Sequence, residues 1–317
     1  MSLQTSIIIV SHNNFETTTG PCLESLLHDH ENHEYEIIVV DNASTDNTPE
    51  KVKELTAGIE NVRLFVNDNN RGFAGGNNDG VGLAKGEILI LLNSDTRVPD
   101  RAIAKLSGLM TSHPEWGMLG PVTNEAGNEQ KIFMESRIPG EIMREGEEWC
   151  VHSNCDHFPS ERLDFFCIAV RGSVYKQLGG LDERFGMGYY EDADFCLRAK
   201  GTGVKMMFTE DCFVYHSSGK SFSNIGKKNV KKLMSENKRK LRNKHSGAVE
   251  LYNMRNRNMK IMNQYVNLRR NPDSRRHDFD YKFNNRVALA KTLYPHSPFK
   301  KLLYHIQIRH ICSRYHQ

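Results

Sequence analysis

Two polar side chains, Asn93 and Asp95, directly follow an apolar run over residues 88–92. A short, continuous apolar run predicts a strand that is buried on both faces, as in a parallel sheet. Ligands of open α/β sheets bind beyond the carboxyl ends of such strands, and carboxylate and amide oxygens suit hard divalent cations. Asn93 and Asp95 therefore indicate a metal or phosphate site at the edge of a sheet.

A second acidic cluster contains Glu191, Asp192 and Asp194, and apolar residues with helical spacing follow it. Acidic side chains in the first turn of a helix complement its dipole, which explains at least one of the three without any function. The preceding residues 186–190 are rich in glycine and tyrosine. Such a backbone is typical of a place that a ligand approaches closely, so the cluster is a second candidate site.

The elements that must position these residues alternate between strand and helix patterns. The predicted strands are residues 6–10, 36–40, 62–66 and 88–92. Such alternation predicts an α/β fold with a parallel, doubly wound sheet. Three of the strands end in polar clusters, at residues 11–14, 41–44 and 93–95, and these clusters should meet at one sheet edge. Residues 114–165 are less regular and are expected to carry loops or a short sheet over that edge.

A dinucleotide-binding fold is the competing interpretation of this pattern, but it requires G-x-G-x-x-G directly after the first strand. The chain has Ser11, His12, Asn13 and Asn14 there, without a glycine. The glycines at positions 72, 75 and 76 follow the third strand and have a different spacing. The sequence therefore argues against NAD binding.

Taken together, the motifs resemble those of the inverting family 2 glycosyltransferases, most closely the rhamnosyltransferase-like branch. The matching segments occur in the family's order between about residues 5 and 222: SIIIVSHN, VVDNASTDNT, NRGFAGGNNDG, ILILLNSDT, LGGLDERF, YYEDADFCLR and VYHSSGKSF. The resemblance implies a GT-A fold, in which a mostly parallel, Rossmann-like sheet is flanked by helices. It also implies a nucleotide-sugar half at 1–112 and an acceptor and catalytic half at 113–224.

The resemblance implies a nucleotide site made from three loops. Asp41 matches the acid that hydrogen-bonds the pyrimidine base of the donor. Ser11 and Asn13 match the first-strand loop that lines the base and ribose. Arg71 and Asn77 lie in the loop that faces the nucleotide and the sugar.

The resemblance also implies a metal and a catalytic base. Asp95 matches the last acid of the family's D-x-D motif, which holds Mn²⁺ or Mg²⁺ on the diphosphate, and His216 matches a histidine that completes the metal's ligands. Asn93 replaces the first acid, which should weaken or alter metal dependence, and it is grouped with the nucleotide-binding residues. Asp192 matches the general base, with Glu191 beside it.

The charge of the chain is divided between its two parts. Residues 1–224 contain 19 Lys and Arg against 34 Asp and Glu, a net charge of −15, whereas residues 225–317 contain 23 against 5, a net charge of +18. We expect residues 225–317 to form a basic, mainly helical extension. Its basic residues start with a dense run: Lys227, Lys228, Lys231, Lys232, Lys238, Arg239, Lys240, Arg242 and Lys244.

Three explanations of this extension remain open. It could pack against the acidic catalytic half and neutralise part of its charge. It could make peripheral contact with an anionic membrane that carries a lipid-linked acceptor. It could bind nucleic acid, but no motif with base-reading spacing is present, so sequence-specific recognition is not expected.

The cysteines predict a cytoplasmic protein. Seven cysteines are scattered along the chain, which favours reduced thiols. Neither a secretory signal nor an apolar run long enough for a transmembrane helix is present in the sequence, so location at the inner face of the membrane would be peripheral. Cys150, His152, Cys155 and His157 invite a zinc site, but their spacing is too compressed for a usual finger, and a polar lid or acceptor loop is favoured.

The predicted function is an inverting transfer of a sugar from a UDP- or dTDP-sugar to a saccharide or lipid-linked acceptor in surface-polysaccharide assembly. A nucleotidyltransferase of related α/β architecture is one alternative, but it would need a glycine-rich phosphate loop after the first strand. A non-catalytic membrane or nucleic-acid adaptor that uses the basic extension is the other alternative.

Overall fold

The computed structural model describes residues 4–28, 35–152, 156–217, 226–245, 253–271 and 276–317. Cys155 and residues 218–222 of the VYHSSGKSF motif lie outside the described residues. Within them the strands are β1 (Thr5–Ser11), β2 (Tyr35–Asp41), β3 (Val62–Val66), β4 (Ile88–Asn93), β5 (Thr96–Arg97), β6 (Trp116–Val122), β7 (His157–Pro159), β8 (Cys167–Arg171), β9 (Lys205–Phe213) and β10 (Tyr215–His216).

Helices lie on both faces of the sheet and form the C-terminal extension. They are α1 (Thr19–His28), α2 (Thr48–Leu55), α3 (Gly72–Leu83), α4 (Ala102–Ser112), α5 (Pro139–Val151), α6 (Gly172–Gln177), α7 (Glu191–Gly201), α8 (Lys227–Lys244), α9 (Met254–Arg270), α10 (Arg276–Thr292) and α11 (Pro298–Tyr315). Short 3₁₀ helices occur at Phe15–Thr17 and Glu183–Phe185.

The main sheet has the strand order β3-β2-β1-β4-β8-β6-β9-β7. The first four strands pair in parallel, as the alternating pattern predicts, and β8 pairs antiparallel with both β4 and β6. Ser11 lies opposite Asp41, and Val10 lies opposite Asn93. The polar clusters after β1, β2 and β4 therefore share one edge.

The alternation of side chains along β1 explains the two cores. Ile7 and Ile9 belong to a buried cluster with Leu23 of α1 and Leu106 of α4. Ile8 belongs to the cluster on the opposite face, since successive strand residues point to opposite faces. Helices α9, α10 and α11 contribute to that second cluster, so the C-terminal extension shares the core of the preceding part of the chain.

The expectation of loops or a short sheet at 114–165 underestimates the order of this region. β6 is a fully buried strand of the main sheet, and α5 covers residues 139–151. The segment WGMLGPV contains two glycines and a proline, which are rare inside strands and hide its apolar pattern. Gly120 is required because a Cβ there would lie 2.4 Å from Gln130 Nε2.

A buried ionic cluster joins the extension to β9. The Arg286 guanidinium of α10 pairs with Glu210 and donates from Nε over 2.8 Å. Lys282 Nζ lies 3.2 Å from Asp211 Oδ1 and 3.5 Å from Asp156 Oδ2. Basic residues of the extension thus neutralise acidic residues in the preceding part of the chain, as the first explanation of the extension predicts. No helix in the described part of the chain is long and apolar enough to cross a membrane.

Candidate active site

The loops after β1 and β2 are tied together by hydrogen bonds. The backbone N–H and the hydroxyl of Ser44 donate to Asp41 Oδ1 and Oδ2 over 2.8 and 2.5 Å. The Asn13 N–H donates to Ser44 Oγ over 2.8 Å. The buried Ser11 hydroxyl lies 2.6 Å from that of Thr19. The predicted nucleotide residues Ser11, Asn13 and Asp41 therefore form one cluster at the carboxyl edge of the sheet.

Asn42 holds the neighbouring loops together, although no sequence motif predicts this role. Its Nδ2 donates to the Gly72 carbonyl over 2.8 Å. Its Oδ1 accepts from Asn67 Nδ2 at 3.0 Å and from the Arg71 N–H at 3.1 Å. The only signal in the sequence is its place in the 41–44 polar cluster. A buried amide that uses both ends of its side chain fixes the relative position of these loops.

Arg71 and Asn77 both have partners within the protein. Arg71 forms ion pairs with Asp79 and with Glu183, at 2.8 Å to Glu183 Oε2. The buried Asn77 donates from Nδ2 to the Phe73 carbonyl over 2.9 Å. These contacts tie α3 internally and to the 3₁₀ helix at Glu183–Phe185. Contact with a nucleotide remains a prediction for both residues.

Two glycine-rich loops, one before α3 and one before α7, meet at Gly72. Gly72 has a φ of +69°, and a Cβ there would lie 2.1 Å from the Gly186 carbonyl oxygen. The adjacent Phe73 N–H donates to the Met187 carbonyl over 3.3 Å. A glycine is therefore required, and the NRGFAGG and FGMGYY motifs become neighbours.

Asp95 and His216 come together because β5 and β10 form a two-stranded ribbon in which His216 lies opposite Thr96. His216 Nε2 lies 3.4 Å from Asp95 Oδ1. Its Nδ1 lies 3.0 Å from the Glu125 carbonyl and donates to it. Burial alone would lower the pKa of His216, but the hydrogen bond and the negative charge of Asp95 outweigh burial and raise that pKa.

The donor set at this position fits an oxygen-seeking cation. Asn93 Oδ1 is buried and has no hydrogen-bond partner among the described residues, and Asp95 is buried beside it in sequence. The part of the chain that the structure describes contains no group of three or more His, Cys, Asp or Glu side chains placed to hold a metal. A cation here would therefore need the Asn93 oxygen or oxygens from a bound ligand in addition to Asp95 and His216.

That same finding bears on Cys150, His152 and His157, which form no such group within the described segments. Cys150 lies in the last turn of α5. The His152 ring stacks on the Tyr281 ring, and their centroids are 4.1 Å apart. His157 Nδ1 lies 3.0 Å from Thr209 Oγ1. These three residues thus have packing and hydrogen-bonding roles where sheet and extension meet.

Glu191 and Asp192 begin α7 beside a partly buried arginine, Arg162, that no sequence motif indicates. Arg162 Nη2 lies 3.6 Å from Asp192 Oδ2 and 3.4 Å from Asp164 Oδ1. Burial raises the pKa of Asp192, and the Arg162 charge opposes this shift. Burial and the charge of Asp192 also raise the pKa of Glu191. Two adjacent carboxyls with raised pKa values are suited to accept and hold a proton near neutral pH.

Asp194, the third acidic residue of this cluster, has a structural role that requires no part in a reaction. Its buried carboxylate pairs with Arg198 Nε at 2.8 Å, Lys244 Nζ at 2.6 Å and His245 Nε2 at 2.8 Å. These partners lower its pKa despite burial. Because Lys244 and His245 come from the end of α8, the extension is anchored directly on α7.

The loop before α7 is strained and is held by α8. Tyr189 and Tyr190 have φ angles of 70° and 77°, which are uncommon for residues other than glycine. The buried Nδ2 of Asn237 lies within hydrogen-bonding distance of three carbonyls of this loop, those of Phe185 at 2.7 Å, Gly188 at 2.8 Å and Tyr189 at 3.1 Å. Asn237 lies within a lysine-rich helix, and its sequence context gives no sign of this role.

Replacing Asn237 with alanine should loosen this loop. A buried carbonyl that loses its donor costs about 1–3 kcal/mol, so the open form of the loop should become at least about fivefold more populated. Limited proteolysis should cut within residues 186–190 correspondingly faster. Asn243→Ala, at an exposed position of the same helix, is the control. Equal cleavage rates in the two variants would show that Asn237 does not hold the loop.

A cavity of about 430 Å³ connects the two candidate sites. Asn93 and His216 line one part of it, and Glu191 and Asp192 line another. Ser11, Asn13, Asp41, Arg71, Asn77 and Asp95 are not among its lining residues. Met234 of α8 does line it, so the extension contributes to the wall. The cavity thus places the predicted base and one predicted metal ligand, His216, around one volume.

Comparison with known proteins gives consistent results. A family model described as "Glycosyl transferase family 2" matches residues 6–166. The N-acetylglucosaminyl-diphospho-decaprenol L-rhamnosyltransferase of Mycobacterium tuberculosis is 26% identical over 212 residues, which cover 58% of this chain and 67% of that protein.

Two solved structures share the fold. The structure of GalNAc-T7 with UDP, GalNAc and Mn²⁺ has a TM-score of 0.55 at 19% identity, and the match covers 68% of this chain but only 44% of that one. Residues 1–349 of TarS from S. aureus give a TM-score of 0.51 at 16% identity, with 98% of this chain and 89% of that chain covered. The second match includes the C-terminal helices.

Proposed function

Since the chain belongs to glycosyl transferase family 2 and has the GT-A fold of its structural neighbours, we propose that it is an inverting glycosyltransferase. It moves a sugar from a UDP- or dTDP-sugar to a saccharide or lipid-linked acceptor in surface-polysaccharide assembly. The observation that carries the proposal is the cavity that Asn93, His216, Glu191 and Asp192 line together. A donor diphosphate and an acceptor hydroxyl can meet there.

The loop cluster of Ser11, Asn13 and Asp41 binds the nucleoside of the donor. The backbone of Asp41 is fixed by β2, and hydrogen bonds from Ser44 orient its carboxylate oxygens. Oriented acceptors of this kind recognise the N–H of a pyrimidine ring. Arg71, Asn77 and Asn93 complete the donor site toward the phosphates and the sugar.

Asp95 and His216, with the Asn93 oxygen, would hold Mn²⁺ or Mg²⁺. The fit rests on the buried, unpartnered Asn93 oxygen and on the 3.4 Å approach of His216 to Asp95. When bound, such an ion supplies positive charge to the diphosphate leaving group. One amide in place of an acid leaves the site with less negative charge, so we expect binding of the ion to depend on the nucleotide.

Asp192 is the general base. It accepts the proton of the acceptor hydroxyl as that oxygen attacks the anomeric carbon from the face opposite the diphosphate. A single displacement inverts the configuration, and no covalent sugar–enzyme bond is formed. The hydrogen bond from the Ala193 N–H to Asp192 Oδ1, at 2.6 Å, fixes the carboxylate, and the Arg162 charge opposes the rise in its pKa that burial causes.

The acceptor is proposed from the relatives and the charge of the extension. The M. tuberculosis relative is named for transfer to a diphospho-decaprenol, a lipid-linked acceptor. We therefore propose a cytoplasmic protein that meets such an acceptor at the inner face of the membrane, with the basic extension in peripheral contact.

The proposal predicts metal-assisted, pyrimidine-selective nucleotide binding. Calorimetry with UDP, dTDP and GDP, with and without Mn²⁺, should show that UDP or dTDP binds more tightly than GDP and that Mn²⁺ strengthens binding. Asp95→Ala should weaken binding in Mn²⁺ at least about tenfold, or about 1.4 kcal/mol. Because Asp95 supplies the charge for the ion, the metal effect should disappear in this variant.

Asp100→Ala is the control, since this exposed carboxylate lies near Asp95 in sequence and pairs only with His28 among the contacts described for it. It should bind like the wild type. Nucleotide binding that is equal with and without metal would contradict the metal site but leave the transferase. Absence of binding for all three nucleotides would contradict the proposed function.

A further inference from the structure

Helix α11 is apolar on two opposite faces. One face is buried and packs on the rest of the extension through residues that recur every three or four positions: Tyr304, Ile308, Ile311 and Tyr315. That spacing is the usual pattern of an amphipathic helix on a core. These contacts account for the folding of the helix, so a second apolar face is not needed for stability.

The second face consists of Phe299, Leu302, Leu303 and Ile306. Their exposed fractions are 70%, 57%, 46% and 53%. The spacing of three, four and seven residues places them within an arc of about 100° on the side opposite the buried stripe. Exposed large apolar side chains scattered singly are ordinary, but a contiguous group indicates an interaction surface.

The charges around this face are of one sign. Every ionised side chain on α11 is basic, and the chain has no Asp or Glu after residue 280. Lys300, Lys301 and Arg309 are exposed. Apolar residues on one side of a helix with Lys and Arg beside them are the composition of helices that lie in a membrane interface. Long basic side chains can reach lipid phosphates while their carbon stems cover apolar surface.

We propose that α11 docks on an anionic lipid surface. Phe299, Leu302, Leu303 and Ile306 enter the boundary between headgroups and acyl chains, and Lys300 and Arg309, on either side of this face, contact the phosphates. This surface is distinct from the lysine run of α8, part of which is committed to Asp182 and Asp194. Docking through α11 would bring the chain to the lipid-linked acceptor of the proposed function. Only this biological purpose, and not the docking itself, rests on the proposed function.

A second copy of the chain fits the same face less well. A two-fold contact would bring identical surfaces together and so place the basic residues of one α11 near those of the other. Like charges in such a contact oppose association, whereas an anionic membrane neutralises all of them. The absence of acidic side chains near this face on its own helix therefore favours lipid over self-association.

The test is vesicle sedimentation of the full chain. Wild-type protein should bind vesicles of phosphatidylglycerol and phosphatidylcholine, and binding should weaken with added salt and with phosphatidylcholine alone. The double variant Leu302→Ser, Ile306→Ser should lower the partition coefficient at least about tenfold, since each substitution removes buried apolar area. The double variant Lys300→Glu, Arg309→Glu should lower the partition coefficient on anionic vesicles only.

Val151→Ser is the matched control because Val151 is 79% exposed at the end of α5 and lies outside the proposed face. It should partition like the wild type. Equal partitioning of the Leu302, Ile306 double variant would overturn the proposal. So would a wild-type dimer, seen by analytical ultracentrifugation, that the double variant abolishes.

Nucleotide calorimetry on the same variants separates this inference from the proposed function. The α11 variants should bind nucleotide like the wild type, because α11 does not line the cavity. Loss of vesicle binding with intact nucleotide binding in these variants supports the docking face. If the wild-type chain binds vesicles but no nucleotide, the proposed function fails and the docking face stands.

Discussion

Replacing Asp192 with asparagine is expected to lower kcat by about 10²–10⁴-fold, the range that a positioned general base contributes. Asparagine has nearly the same shape, but it cannot accept the proton of the acceptor hydroxyl. Nucleotide binding should be unchanged, since Asp192 lines the cavity whereas the loop cluster of Asp41 does not. Steady-state assays of sugar transfer, with the donor whose nucleotide binds in calorimetry, give kcat. Calorimetry gives the Kd of that nucleotide.

The pH profile provides a second readout for Asp192. Because burial raises its pKa, the base becomes protonated at a higher pH than an exposed aspartate. The activity of the wild type should therefore fall on its acidic side above the ordinary range of Asp, which is about 4. Asp100→Asn should retain both rate and profile. A kcat within threefold of wild type in Asp192→Asn would assign the base to another group.

Replacing Arg286 with methionine is expected to destabilise the protein by about 3–5 kcal/mol, the cost of leaving one member of a buried ion pair without its partner. Arg286 and Glu210 are both fully buried, and Glu210 also accepts a hydrogen bond from the Tyr265 hydroxyl. Without the guanidinium, the Glu210 carboxylate would remain in an apolar core or take up a proton. Urea denaturation measures the change in the free energy of unfolding.

Two variants make this result specific to buried charge. Arg269→Met removes an arginine that pairs with Asp280, which is half-exposed, so it should cost at most about 1 kcal/mol. Adding Glu210→Gln to Arg286→Met should restore part of the lost stability, because the uncompensated carboxylate is then gone. Equal effects of Arg286→Met and Arg269→Met would mean that the cluster contributes little to holding the extension on β9.

Several features of the site follow from the sequence because their signals are local. The apolar runs that become β1, β2 and β4 each end in polar residues, and parallel strands bring such ends to one edge. The position of Asn93 and Asp95 follows from this rule, as does the clustering of Ser11, Asn13 and Asp41. The GT-A fold and the family follow from seven short motifs in a fixed order.

The positions of the other residues depend on contacts between segments far apart in the chain. Arg162 lies 30 positions before Asp192, and nothing in its own segment indicates that it pairs with that carboxylate. Asn237 lies among lysines that suggest a solvated helix, yet its amide holds the strained loop before α7. β6 cannot be recognised from its sequence, because close packing against its neighbours, and not strand propensity, selects its glycines and proline.

Local signals in the sequence are enough to predict the parallel half of the sheet, the family and the identities of the metal ligands and base. Only the fold shows that the basic extension packs into the rest of the chain, through Asn237, Lys244, Lys282 and Arg286. It also decided that α11 keeps a second apolar face exposed. The physical reason is that periodicity and turn chemistry act over a few residues, whereas a buried polar group must find its partner wherever the fold brings one within hydrogen-bonding distance.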